Sequence, residues 1–251
     1  MSGHNKWSKI KNQKGASDAK RGQLFTKFTR EIIIAVKNGG TSTDSNRRLA
    51  LAIQKAKGGS MPGDNIQRAI EKGAGTAEGM QLVEMVVEGY GPNGAAIMVQ
   101  AVSDNRNRAV QEIRSTFTRN GGALGGTGTV AWQFEQKGLI TIDAAGKDVD
   151  DLTLKAIEAG ADDVQENDGS LEIYTKPEDL YAVSTSLTKQ NVPVASAELS
   201  MLPKITVELD EKASLQTLKL LDKLEELDDV QHVYSNVDFS DEILDKYKAV
   251  A

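Results

Sequence analysis

The sequence contains no cysteine. Disulfides, thiolate metal sites and a cysteine nucleophile are therefore excluded, and the chemistry suits a reducing compartment. Long apolar runs are missing too. The longest, such as Ala95–Val99 and Ile32–Val36, fall far short of the ~20 residues that a membrane-spanning helix needs. The basic N-terminal stretch is not followed by an apolar core, so it does not read as a secretory signal, and it lacks the arginine richness of a transit peptide. The expected location is the cytoplasm. Aromatic residues make up only 5% of the chain, which favours several small cores over one large one.

Catalytic patterns are also lacking. The two histidines, His4 and His232, have no second histidine or carboxylate at ligand spacing. No H-E-x-x-H, G-x-S-x-G or P-loop pattern occurs. The tract Gly121–Gly128 (GGALGGTG) follows a helix and precedes a strand, the reverse of the order in a nucleotide site, so it reads as a connection. Aspartates at 148, 150, 151, 162, 163, 228 and 229 fall at helix starts or helix-to-strand turns, where they cap or solvate. No enzymatic activity, metal or cofactor is expected, and no small-molecule substrate.

What is present is a strong charge asymmetry. Residues 1–72 carry 15 Lys and Arg against 5 Asp and Glu, whereas the other 179 carry 15 against 31, giving −6 overall. A basic block in an acidic chain implies an anionic partner. Its densest part, GHNKWSKIKNQKGASDAKRGQLFTK from Gly3 to Lys27, has one acid, Asp18. Lys6, Lys9, Lys11 and Lys14 are interspersed with small polar residues, which suits phosphate contacts, and Trp7 could stack on an unpaired base. Alternatively, Trp7 tucks onto the helical domain and the lysines solvate a tail. Lys20, Arg21, Lys27 and Arg30 continue the charge along a helix. A second candidate is Ser103–Arg108 (SDNRNR), with Arg106 and Arg108 at a helix start, where backbone N–H groups also favour anions.

Periodicity divides the chain. Leu24, Phe25, Phe28, Ile32, Ala35 and Val36 share one helix face, starting at Ser17 or Asp18 and ending at Asn38-Gly39. A second helix starts near Asp44 or Ser45 and stops at Gly58-Gly59; a third runs from Pro62 to Gly73; Gly73–Gly79 reads as a linker. Strand patterns then appear at Leu82–Glu88, Ala95–Val102, Val130–Phe134, Leu139–Ile142, Leu171–Tyr174, Val194–Met201, Ile205–Leu209 and Val230–Tyr234. Helices are expected after Ser103-Asp104, at Val149–Glu158, at Pro177–Lys189 and over Leu215–Leu224. Asp-Asp-Val-Gln occurs twice after a helix, at 162–165 and 228–231, hinting at duplicated modules. The fold class is α+β: a helical N-terminal domain followed by two ferredoxin-like α/β modules, one inserted into the other. The expected divisions are 1–80, 81–136 with 204–251, and 137–203.

GHNKWSKIKNQKGASDAKRGQLFTKFTREI, EGYGPNGAAIMVQAVSDNRNR and TGTVAWQFEQKG together resemble the YebC (YebC/PmpR) family over nearly the whole chain. The resemblance implies three domains and no enzymatic activity or cofactor. Bacterial members are described as DNA-binding transcriptional regulators. Other members, including mitochondrial translational activators of cytochrome oxidase, act on translation or on stalled ribosomes. The implied function is thus a DNA-binding transcriptional regulator, with an RNA- or ribosome-binding translation factor as the alternative. Backbone-dominated binding by lysine does not separate the two.

Overall fold

The computed structural model describes residue 7 and residues 18–75, 81–167 and 169–250. Three helices come first, α1 (Asp18–Gly39), α2 (Arg47–Gly58) and α3 (Gly63–Gly73). The chain leaves α1 through Gly40, whose φ of +82° suits a residue without a Cβ. The cap of α2 is Asn46, not Asp44 or Ser45. Its Oδ1 accepts from the Leu49 N–H at 3.0 Å, and its Nδ2 donates to the Ala35 and Gly40 carbonyls, both at 2.7 Å. One buried amide therefore ties the end of α1 to the start of α2. Ile32, Ile33 and Val36 of α1 pack with Leu49, Ala52, Ala56, Ile66 and Ala69 of the other two helices. Gly59 permits this closeness, because a Cβ there would sit 2.3 Å from the Phe28 ring.

Two four-stranded antiparallel sheets follow. The first is ordered β3 (Ala123–Leu124), β1 (Val83–Tyr90), β2 (Ala96–Ser103), β8 (Val230–Ser235). Helices α4 (Arg106–Arg119) and α7 (Glu211–Glu225) cover one face, where Ile113, Phe117, Leu218 and Leu221 pack on Met85, Val87, Ile97 and Val99. Alternation along β1 and β2 puts Ala96 and Met98 on the opposite face, against Val130, Phe134 and Tyr234. The second sheet is ordered β5 (Asp163–Asn167), β6 (Ser170–Thr175), β4 (Phe134–Asp143), β7 (Val194–Pro203), with α5 (Val149–Glu158) and α6 (Leu180–Lys189) as its crossovers. This is the ferredoxin-like arrangement in unbroken chain order. The first sheet reaches the same arrangement with its hairpin β1–β2 first: the β2–α4–β3 unit straddles β1, and α7–β8 joins only after the second sheet is complete. A last helix, α8 (Asp241–Val250), packs on α7.

Several local expectations are corrected. Residues 131–133 form a short 3-10 turn, and β4 starts at Phe134. The cause is Glu88, whose carboxylate accepts from the Gly128, Val130 and Ala131 N–H groups, each at 2.7 Å, and so bends this segment over the sheet. Ile205–Leu209 is not a ladder strand; Val207 makes one isolated parallel bridge to Val237. The polar segment 163–167 and the two residues 123–124 are strands that periodicity did not reveal. Among the described residues, no helix is long and apolar enough to cross a membrane.

Candidate nucleic-acid interface

Lys6, Lys9, Lys11 and Lys14 lie outside the described residues. Trp7 lies within them, and it is only 2% exposed. Its indole joins the core of the first sheet's module, and Nε1 donates to Asp222 Oδ1 on α7 at 3.0 Å. The other oxygen of Asp222 accepts from the Tyr247 hydroxyl at 2.7 Å. Burial, reinforced by the Asp222 carboxylate, holds the Tyr247 hydroxyl well above its ordinary value. The reading of Trp7 as a base-stacking ring is therefore corrected: a ring this enclosed has no face to offer a base. It packs on the C-terminal module rather than on the helical domain, and it fixes one point of the basic leader there. Apolar burial of a large ring with its N–H satisfied outweighs what a solvated stack would give.

The basic arc of α1 divides in two. Lys20 and Arg21 are exposed. Lys27 and Arg30 are docked on the end of α7 and the turn after it. Lys27 Nζ donates to the Glu225 carbonyl at 2.6 Å, Arg30 Nη1 donates to the Asp228 carbonyl, and Arg30 Nη2 pairs with Asp229 Oδ1 at 2.8 Å. The last carbonyls of a helix lack partners within it and carry the negative end of its dipole, so they attract cations. These two side chains are thus not on a solvated outer arc.

The SDNRNR stretch meets Arg30 at the same carboxylate. The cap of α4 is Asn105, whose Oδ1 accepts from the Arg108 N–H at 3.0 Å; Ser103 and Asp104 take other roles. Ser103 Oγ donates to Asp229 Oδ2 at 2.8 Å. Arg108 Nη2 lies 3.1 Å from Asp229 Oδ2, 2.8 Å from Asp104 Oδ1 and 3.1 Å from Ser103 Oγ. A hydrogen bond from Arg108 holds the Asp104 carboxyl below its ordinary value. Arg106 is exposed, as are Arg114 and Arg119 further along α4. Asp229, buried to 4% exposure, is the residue that joins the two basic stretches, and the sequence marked it only as a turn aspartate in the second Asp-Asp-Val-Gln.

Two further polar centres escaped the sequence. Lys55 Nζ lies between Glu198 (2.9 Å), Glu31 (3.4 Å) and His232 Nε2 (3.3 Å), joining the helical unit to both sheets. Burial opposes its charge, but the Glu198 and Glu31 carboxylates outweigh this and raise Lys55 above its ordinary value. Burial, then the Lys55 ammonium, push His232 down to about 4, so its neutral Nε2 accepts from Lys55 at pH 7. This group lines a cavity of about 630 Å³ between α2, β1, β7 and β8. Elsewhere, the loop clamped by Glu88 presents Trp132, 64% exposed, with Nε1 donating to the Thr129 carbonyl at 3.1 Å. Among the described residues, no three His, Asp or Glu side chains cluster as a metal site.

Comparison with known proteins agrees with this architecture. Residues 5–76 match the TACO1/YebC protein N-terminal domain, and residues 82–237 match the TACO1/YebC second and third domain. A probable transcriptional regulatory protein of Dehalococcoides mccartyi is 56% identical over 251 residues, covering 100% of both chains. One from Herpetosiphon aurantiacus is 51% identical over 248 residues, covering 98% of each. The crystal structure of a conserved hypothetical protein from Aquifex aeolicus superposes with a TM-score of 0.85 at 48% identity, covering 90% of this chain and 94% of that one. By fold, by coverage and by identity, the chain belongs to the TACO1/YebC family.

Proposed function

We propose that this chain is a non-catalytic, DNA-binding regulator of transcription working in the cytoplasm. The observation that carries the reading is the meeting of two basic stretches, distant in sequence, at Asp229, which Arg30 of α1 and Arg108 at the start of α4 both reach; α1 also carries exposed Lys20 and Arg21, and α4 exposed Arg106. In the sequence, the leader adds Lys6, Lys9, Lys11 and Lys14 to the same basic block. The names of the relatives as probable transcriptional regulatory proteins support the same reading. The working division is a helical unit at 1–80, a module at 81–136 with 204–251, and an inserted module at 137–203.

Lysine and arginine of this kind neutralise backbone phosphates, so affinity falls with salt, by about 0.9 in logarithmic slope for each phosphate on duplex DNA. Replacing Lys20, Arg21 and Arg106 together by glutamine is expected to weaken duplex binding at least tenfold and to flatten the slope by about 2 to 3. Fluorescence anisotropy over a salt series measures both. Unchanged affinity and slope would remove the surface from consideration. Crosslinking in cells identifies the target: discrete promoter peaks support the reading, and ribosomal RNA enrichment without promoter DNA replaces it with a translational one.

A further inference from the structure

Two guanidinium groups and a hydroxyl converge on one buried carboxylate at Asp229. Arg30 Nη2 reaches Oδ1 at 2.8 Å, and Arg108 Nη2 (3.1 Å) and Ser103 Oγ (2.8 Å) reach Oδ2. Paired arginines with a neutral donor form a constellation that suits a phosphate, and a carboxylate satisfies the same donors. Neither arginine is used up. The Nε and Nη1 of Arg108 and the Nε of Arg30 make no hydrogen bond to a described residue, and the exposed Arg106 side chain, one residue into the same helix start, makes none to a described residue either. Arg108 Nη2 has two hydrogens and three acceptors within 3.1 Å, so it does not serve them all well at once.

We propose that Asp229 occupies a phosphodiester site: a backbone phosphate of bound nucleic acid takes the place of its carboxylate on Arg30 and Arg108, and α1 parts from the turn between α7 and β8. This rests on the nucleic-acid-binding reading above and adds to it how the surface is regulated. Replacing one anion by another leaves both guanidiniums paired, so the exchange avoids the cost of baring them. Asp229 is tethered and outcompetes a free phosphate. A polyanion already engaged by the exposed cations of α1 and α4 presents its further phosphates at comparable effective concentration. The Asp229 carbonyl stays bonded to the Val102 N–H at 2.8 Å, while the contacts that part include those of Lys27 with Glu225 and of Arg30 with Asp228 and Asp229.

The test compares wild type and Asp229→Asn in binding a labelled 20-base-pair duplex between about 50 and 300 mM salt, the range over which phosphate contacts are read. Asparagine keeps the size and one acceptor but removes the competing charge. The expected result is a Kd several-fold lower and a salt slope steeper by about one, since no carboxylate is left to recapture a cation. Equal Kd and slope in a folded Asp229→Asn protein overturn the proposal while leaving DNA binding intact; no binding by either protein overturns both. Hydrogen exchange on wild type needs no variant. Adding the duplex should lower protection at residues 27–32 and 226–231, and unchanged or increased protection there refutes the exchange.

Discussion

Trp7 offers the sharpest check on the placement of the N-terminal stretch. Replacing it with alanine removes a ring that is 2% exposed in the first module's core. Truncating a buried Trp or Phe costs about 3–5 kcal/mol where surrounding groups cannot collapse into the gap. Trp7→Phe keeps most of the packing but deletes the hydrogen bond to Asp222. That bond goes to a charged acceptor, so its loss is expected to cost about 1.5–3 kcal/mol, toward the lower end because Tyr247 still satisfies Asp222. Urea denaturation gives both values. The assay of placement itself is optical. The chain has two tryptophans, and the other, Trp132, is 64% exposed. Trp132→Phe thus leaves Trp7 as sole fluorophore. Its emission should lie well to the blue of free tryptophan and resist acrylamide, then shift red in Asp222→Ala if the anchor loosens. Emission like free tryptophan with full quencher access would show that the leader does not dock here, and the energies above would fall with it.

Asn46→Ala is expected to lower stability by about 2–4 kcal/mol in thermal denaturation, because three hydrogen bonds are lost and the buried Ala35 carbonyl loses a donor; a loss under 0.5 kcal/mol would mean that Asn46 is only an ordinary cap. Glu88→Gln should cost about 1–3 kcal/mol, since a neutral amide oxygen replaces an anion accepting three N–H bonds, and should change the anisotropy of Trp132; unaltered stability and anisotropy would contradict the clamp. Acid should destabilise the fold through His232. Its folded value of about 4 lies below the unfolded ~6.5, so the unfolded chain binds the extra proton. Stability is then full above pH ~6.5 and falls toward pH 4 by at most about 3 kcal/mol. Lys55 is raised and acts at the other end, its contribution being present below pH ~10.5 and lost above it as the folded group deprotonates. Urea midpoints across pH check this, and His232→Gln should flatten the acid limb.

The helices were legible because their burial is one-sided: Leu49, Ala52 and Ala56 repeat at helical spacing and face one core. The sheet modules were legible as strand–helix–strand runs. What failed was decided by residues far away. Nothing local says that Ala131–Gln133 turns, since the cause is a carboxylate on β1. Asp163–Asn167 is a polar edge strand whose order comes from pairing with β6, not from its own pattern. Ile205–Leu209 alternates well, but it meets the segment after β8 at Val207 alone and so forms no ladder. In the candidate interface, positive charge was readable and its pairing was not. Arg30 and Asp229 sit near opposite ends of the chain, and two turn aspartates looked alike until one was found buried between two arginines.

The nested order of the modules also sets when each part of the fold becomes available during synthesis. The three helices close on residues 18–75, and the second sheet closes on a contiguous run from Phe134 to Pro203. The first sheet waits for β8, and Asp222, Glu225, Asp228 and Asp229 are made in the same late stretch. A chain growing from its N-terminus folds early units first. Its basic end therefore emerges before the acceptors of Trp7, Lys27 and Arg30 are made, and docking of these three side chains is a closing event. A chain stopped before α7 would carry the three helices and the strands of the second sheet but leave that basic end uncapped, so completion of the last strand is also what sets the charge that the finished molecule shows to polyanions.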